Sequence, residues 1–187
     1  VLAQGVEGIA VGLSTKVMPH NFIELIKASI AQLKGKRVEL FPDFPTGGLV
    51  DVRDYNGGAR GGKIRVRGRI KEIDKKTLQI TEMPYGVTVN DLIDSILKAN
   101  DKGQIKVKKV IDKTAAEVDI EIELQPGVSP DVTIDALYAF TDCEVGISPN
   151  CCIIVEDKPV FTDVQELLRI STDNTRELLR LSLIHIS

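Results

Sequence analysis

The sequence lacks a strong imbalance of charge: 24 Lys and Arg stand against 27 Asp and Glu, for a net charge of −3. Any nucleic-acid contact must therefore come from a local basic patch, because the chain as a whole is no polycation. Cysteine is scarce. Cys143, Cys151 and Cys152 form an odd set with two adjacent members, which argues against a disulfide framework and fits buried thiols in a reducing cytoplasm. No histidine accompanies them, so no zinc site is expected. Long apolar runs are missing too. Val1 to Met18 is interrupted by Gln4, Glu7 and Lys16, which excludes a membrane span, and it has neither the basic start nor the cleavage pattern of a signal peptide. Position 1 is not methionine, and we expect the chain to begin in mid-protein. Also absent are a Ser/His/Asp arrangement, paired catalytic carboxylates and a metal-ligand cluster.

What is present is an ordinary globular composition, 43% hydrophobic and 27% charged over 187 residues. A chain of this length buries roughly 70% of its unfolded surface. Val6 to Leu13, punctuated by Gly5, Gly8 and Gly12, reads as a hairpin or bent strand. Asn21 and Glu24 open a helix whose apolar stripe is Phe22, Ile23, Ile26, Ile30 and Leu33 and whose stop is Gly35. Phe41 to Gly62 is a long loop with Pro42, Pro45 and six glycines. Lys63 to Ile73 alternates as one strand, turns at Asp74-Lys75-Lys76 and returns as Thr77 to Glu82. A helix capped by Thr88 or Asn90 carries Leu92, Ile93, Ile96 and Leu97. Two strands follow, Ile105 to Ile111 and Glu117 to Leu124, and then a helix with Ser129 and Pro130 at its start. Short β pieces around 144–160 carry hairpin signals at Pro149-Asn150 and Asp157-Lys158. Thr162 with Gln165 starts a last, charged helix. This order predicts an α+β fold with a mainly antiparallel sheet.

Gly57 to Lys63 has the spacing of a phosphate-binding loop, but Ile64 stands where Ser or Thr must reach magnesium and the segment enters a strand, so nucleotide binding is rejected. The remaining readings are a flexible basic loop or a backbone approach to a DNA phosphate aided by Arg60 and Lys63. Lys63, Arg65, Arg67, Arg69 and Lys71 share one strand face at roughly 6.6 Å intervals. They form either a row along a phosphate backbone or one half of a charge ladder with Glu117, Asp119, Glu121 and Glu123. His20, just before the first helix, reads as a turn residue. The last seven residues, Leu181-Ser-Leu-Ile-His-Ile-Ser187, break the charged pattern without a cap. They back-translate as CTGTCTCTTATACACATCTC, which looks like a transposon-end adapter from sequencing libraries. We expect 181–187 to encode no biology and His185 to carry no function.

Three stretches carry a resemblance: Gly5-Val-Glu-Gly-Ile-Ala-Val-Gly-Leu-Ser-Thr-Lys-Val-Met-Pro-His-Asn21; Pro42-Asp-Phe-Pro-Thr-Gly-Gly48; and Gly61-Gly-Lys-Ile-Arg-Val-Arg-Gly-Arg69 followed by Ile80-Thr-Glu-Met-Pro-Tyr85. In order and spacing they resemble the A subunits of bacterial type IIA DNA topoisomerases, topoisomerase IV more than gyrase, over about residues 1 to 180. The resemblance implies a division into a junction after a winged-helix domain (1–20), a tower or shoulder domain with an antiparallel sheet (21–161) and the start of a long coiled-coil arm (162–180). It implies that Ile9 is an apolar wedge inserted between base pairs of double-stranded DNA, the alternative being an ordinary strand isoleucine, and that Arg60, Lys63 and Arg65 touch DNA. It implies an ATP-dependent isomerase of DNA topology, active in chromosome segregation, whose catalytic tyrosine lies in an Arg-Tyr-Thr context. Tyr55, Tyr85 and Tyr138 are not in that context, so the nucleophile is expected upstream of Val1 and this piece alone is expected to be inactive. Mg2+ and ATP would belong to the partner B subunit, the A subunit would form a homodimer, and no membrane partner is implied. A non-enzymatic α+β interaction module is the alternative from another class.

Overall fold

The computed structural model describes residues 1–10 and 12–186. In chain order the elements are β1 (Val6–Ala10), β2 (Leu13–Val17), α1 (Phe22–Leu33), β3 (Leu49–Asp51), a 3-10 turn (Asn56–Gly58), β4 (Ile64–Arg67), β5 (Arg69–Asp74), β6 (Thr77–Glu82), α2 (Val89–Asp101), β7 (Val107–Asp112), β8 (Ile120–Leu124), α3 (Pro130–Phe140), β9 (Glu144–Ile147), β10 (Cys152–Val155), β11 (Lys158–Phe161) and α4 (Val164–Ile186). They sort into two compact units. One comprises Val1–Asp43, Val52–Ile64 and Ser148–Ser187, the other Phe44–Asp51 and Arg65–Ile147.

In the first unit β1 and β2 pair antiparallel, with Ile9 opposite Ser14 and Ala10 opposite Leu13, so the expected hairpin is present. Asn21 caps α1 through its side-chain oxygen, which accepts from the N–H groups of Ile23 and Glu24, and Gly35 at φ 73° ends it. The apolar stripe of α1 does not face a core. Phe22 is 66% and Ile23 62% exposed, whereas Leu25 and Ala28 are buried. Phe22, Ile26, Ile30 and Leu33 instead line an open apolar groove of about 640 Å³, with α4 on its other side. α4 is capped by Asp163, whose carboxylate accepts the Glu166 N–H at 2.8 Å, and not by the Thr162/Gln165 box. Gln165 donates its side-chain N–H to the carbonyl of Val38. The helix runs on through the suspected tail to Ile186 with Leu181, Leu183 and Ile184 exposed. The side chain of His185 and all of Ser187 lie outside the described residues.

β10 and β11 form a hairpin across Glu156-Asp157, both at positive φ (48° and 61°), one residue before the predicted turn. The Pro149-Asn150 signal does not make a hairpin. Asn150 bridges Lys16 of β2 instead, exchanging backbone hydrogen bonds of 2.8 and 2.9 Å.

In the second unit β5-β6-β8-β7 form a four-stranded sheet, with β5/β6, β6/β8 and β7/β8 all antiparallel. Leu78, Ile80, Ile120, Ile122 and Leu124 on its inner face pack with Leu92 and Ile96 of α2 and Leu137 of α3, all nearly free of solvent. Thr88 is the α2 cap, accepting the Asp91 N–H. The predicted strand Lys63 to Ile73 is two strands in two sheets: β4 joins β3 and β9, whereas β5 joins β6. The break is at Gly68. Its N–H donates to the Cys143 carbonyl, and a Cβ there would stand 2.7 Å from the Glu82 carbonyl oxygen, so only glycine allows the approach. The architecture is mixed α and β with antiparallel sheets, as expected.

Candidate nucleic-acid interface

The β1–β2 hairpin presents Ile9, paired opposite Ser14, above a packed base. Ile9 is 89% exposed, the most exposed of the large hydrophobics described. Such exposure of a β-branched residue has no packing reason within this chain. Gly8 beside it would meet one side-chain methyl, Thr15 Cγ2, at 3.9 Å if given a Cβ, so its surface is open. Glu7 and Lys16 pair across the hairpin at 3.0 Å, an exposed bridge that contributes little. The base is different: Val17, Met18 and Pro19 are buried. Gly5 at φ 72° passes so close to Val17 that a Cβ would sit 2.8 Å from its carbonyl oxygen.

The basic loop winds around one buried tyrosine. Tyr55 is 2% exposed. A Cβ on Gly58 would lie 3.0 Å from its hydroxyl and a Cβ on Gly62 2.3 Å from its carbonyl oxygen. The Lys63 N–H donates to the Asp54 carbonyl at 2.7 Å, and the Cys151 N–H to the Gly58 carbonyl at 3.1 Å. Burial pushes the Tyr55 hydroxyl well above its ordinary pKa. Arg60 lies over the Phe161 ring at 5.2 Å, and Lys63 is exposed. Gly57 to Lys63 leads from the 3-10 turn toward β4 and no helix, unlike a nucleotide-binding loop.

The two charge rows are not partners of each other. In the second unit Arg65 and Arg67 of β4 reach Glu144 of β9, Arg65 at 4.0 Å. Arg67 also lies over the Tyr138 ring at 5.0 Å. Arg69 pairs with Glu82 at 3.0 Å. The acidic row is met by lysines of and beyond β7: Lys113 to Glu121 at 2.6 Å and Lys108 to Glu123 at 3.8 Å. A single ladder between the predicted rows is therefore corrected to separate local pairings. Arg65, with its side chain 59% exposed and its carboxylate at the edge of range, keeps the more open guanidinium.

Two features escaped sequence reading. His20 is no turn residue at the surface: it is 3% exposed, with Nδ1 3.2 Å from the Leu2 carbonyl and Nε2 3.3 Å from the Tyr55 hydroxyl. Glu82 holds the Pro-Thr-Gly-Gly stretch, accepting the Gly48 N–H at 2.7 Å and the Arg69 Nε–H at 3.0 Å. Those two bonds, the first the larger, keep its carboxyl below the usual range. Phe44 of the same stretch stacks on Tyr85 at 4.8 Å. Cys143 and Cys151 are buried and free, their thiols pushed up to about 11 by burial. Among the described residues no three His, Cys, Asp or Glu are grouped as metal ligands, and no helix is long and apolar enough to cross a membrane.

These features lie on a chain with known relatives. The family profile for the A subunit of DNA gyrase/topoisomerase IV matches residues 1–184. The A subunit of DNA topoisomerase 4 from Borreliella burgdorferi is 42% identical over 183 residues, covering 98% of this chain and 29% of the relative. The A subunit of DNA gyrase from Lawsonia intracellularis is 30% identical over 196 residues, 96% of this chain and 24% of that protein. Its counterpart from Chlamydia pneumoniae is 30% identical over 199 residues, with the same two coverages. The chain thus spans less than a third of the length of these relatives, and it belongs to the DNA gyrase/topoisomerase IV A-subunit family.

Proposed function

We propose that this chain is the DNA-bending tower portion of a type IIA topoisomerase A subunit, of the topoisomerase IV kind. The observation that carries the reading is Ile9, a nearly naked isoleucine near the end of a hairpin whose base is buried. An apolar side chain so presented can enter a base step, unstacking it at a cost of a few kcal/mol that a bent duplex recovers through wider contact. Arg60, Lys63 and Arg65 supply the phosphate contacts that hold the bent duplex. The kind rests on identity, 42% to a topoisomerase 4 relative against 30% to gyrase relatives.

The nucleophilic tyrosine is proposed to lie outside this chain. Tyr55 is buried against Gly58 and His20, and Tyr138 donates its hydroxyl to the Gly68 carbonyl, with its pKa raised by burial. Both are held as neutral donors, poor starting points for attack on a phosphodiester. Mg2+ and ATP are proposed to be held by the B subunit. The proposed partners are double-stranded DNA, a second copy of the same protein and that B subunit, in the setting of the cytoplasm. α4 to about Arg180 would begin the arm, and 181–187 is proposed as translated adapter; any other codon series at that place in the gene overturns the latter.

Ile9→Ala in the full-length enzyme is expected to lower DNA bending and cleavage together, measured by end-to-end fluorescence transfer on a labelled duplex and by cleavage-complex yield. Unchanged bending removes the wedge. For the phosphate contacts, Arg60→Ala should reduce the slope of log affinity against log salt by about 1, whereas Arg67→Ala, already paired with Glu144, should leave it unchanged.

A further inference from the structure

His20 lies where the Ile9 hairpin and the basic loop are tied together. Its backbone N–H donates to the Leu2 carbonyl at 2.9 Å, directly after the buried base Val17-Met18-Pro19. Its Nδ1 is 3.2 Å from the same carbonyl oxygen. A carbonyl only accepts, so Nδ1 carries the proton and Nε2 is left as an acceptor. Tyr55 is then the donor, through its hydroxyl, at 3.3 Å. Burial lowers the imidazole pKa, outweighing the backbone bonds to Leu2 and Met18 and the Glu24 and Asp43 carboxylates, all of which favour the charged form. Tyr55 is in turn the post around which Gly58 and Gly62 close, and Arg60 and Lys63 are carried on that turn.

We propose that His20 is a positioning residue for DNA: through Tyr55 it locks the Ile9 hairpin and the Arg60–Lys63 loop into one surface, so that wedge and phosphate contacts engage the duplex in a single register. The inference rests on the wedge reading above. A second tie between the same parts is made of backbone alone, Lys16 to Asn150 and Cys151 to Gly58, and survives side-chain changes. The imidazole–phenol bond therefore tunes register on a scaffold that still folds.

The test is a double-mutant cycle in the full-length protein, reconstituted with its B subunit into the holoenzyme and read as the bent fraction of a labelled duplex. Tyr55→Phe removes one neutral hydrogen bond and keeps the ring, and is expected to reduce bending about fivefold. In an Ile9→Ala background the same change should have no further effect on bending, because the register it sets no longer carries a wedge. A merely structural role would give equal losses in both backgrounds, and that result, or unchanged bending in Tyr55→Phe alone, overturns the proposal. Unchanged bending in Ile9→Ala overturns the wedge reading and this inference with it. His20→Ala is a second variant: its loss of bending should match that of Tyr55→Phe and should not add to it in the double variant.

Discussion

At the scale of single residues, the tightest constraints are backbone ones. Gly48 adopts φ 91°, and a Cβ there would stand 2.5 Å from the Arg67 carbonyl oxygen, an atom that cannot move without dislodging the β3/β4 pairing. Gly103 has a similar φ of 72° with open space around it. Gly48→Ala is therefore expected to cost about 3 kcal/mol and Gly103→Ala about 1 kcal/mol, measured as urea-midpoint shifts at constant m. Equal shifts would mean that the steric account is wrong. His20 makes the other residue-scale prediction. Its folded pKa lies below the unfolded value of 6.5, so the unfolded chain binds more protons in that range. Stability is full above 6.5 and falls as pH drops from 6.5 to the folded value. Thermal midpoints measured from pH 8 downward should decline in this window, and His20→Gln, whatever its own stability, should flatten the decline.

At the scale of elements, α1 shows what sequence reveals and what it leaves open. Its limits were legible because capping is local: Asn21 and Gly35 act on groups within four residues. Asn21→Ala is expected to cost about 1 kcal/mol, seen as a lower thermal midpoint with a frayed first turn in hydrogen exchange. The orientation of its stripe was not legible, since a period of 3.6 says which residues share a face and nothing of what that face meets. Gly68 hides its break for a related reason. Arg67 and Arg69 keep the same parity across it, so alternation reads through, and the deciding fact is the Glu82 carbonyl brought close by a strand further along the chain. The partners of the two charge rows depend likewise on strand order. Glu144 comes to β4 because β9 is its neighbour, and nothing near Arg67 in sequence announces that. The hairpin and the glycine-rich basic loop were legible as local patterns, while Ile9 was singled out only through the family resemblance; the contact between His20 and Tyr55, 35 residues apart, was not legible.

At the scale of the whole molecule, the chain is laid down as two units of unlike continuity. The second is built from 44–51 and 65–147, while the first needs three separate stretches, the last beginning at Ser148. Among the described residues of 181–187, Leu181, Leu183 and Ile184 are more than half exposed. Deleting 181–187 should leave the thermal midpoint within about 2 °C, by differential scanning calorimetry.

The divided first unit has a consequence for synthesis on the ribosome. The strand bearing Ile9 emerges before its supports: Asn150 and Cys152, which brace β2 through Thr15, are translated more than 130 residues later. At about 5–20 residues per second, the nascent hairpin waits on the order of ten seconds without those braces, while the second unit can already close. An exposed isoleucine on a hairpin left unbraced for that long is a natural landing place for chaperones that meet chains at the ribosome exit.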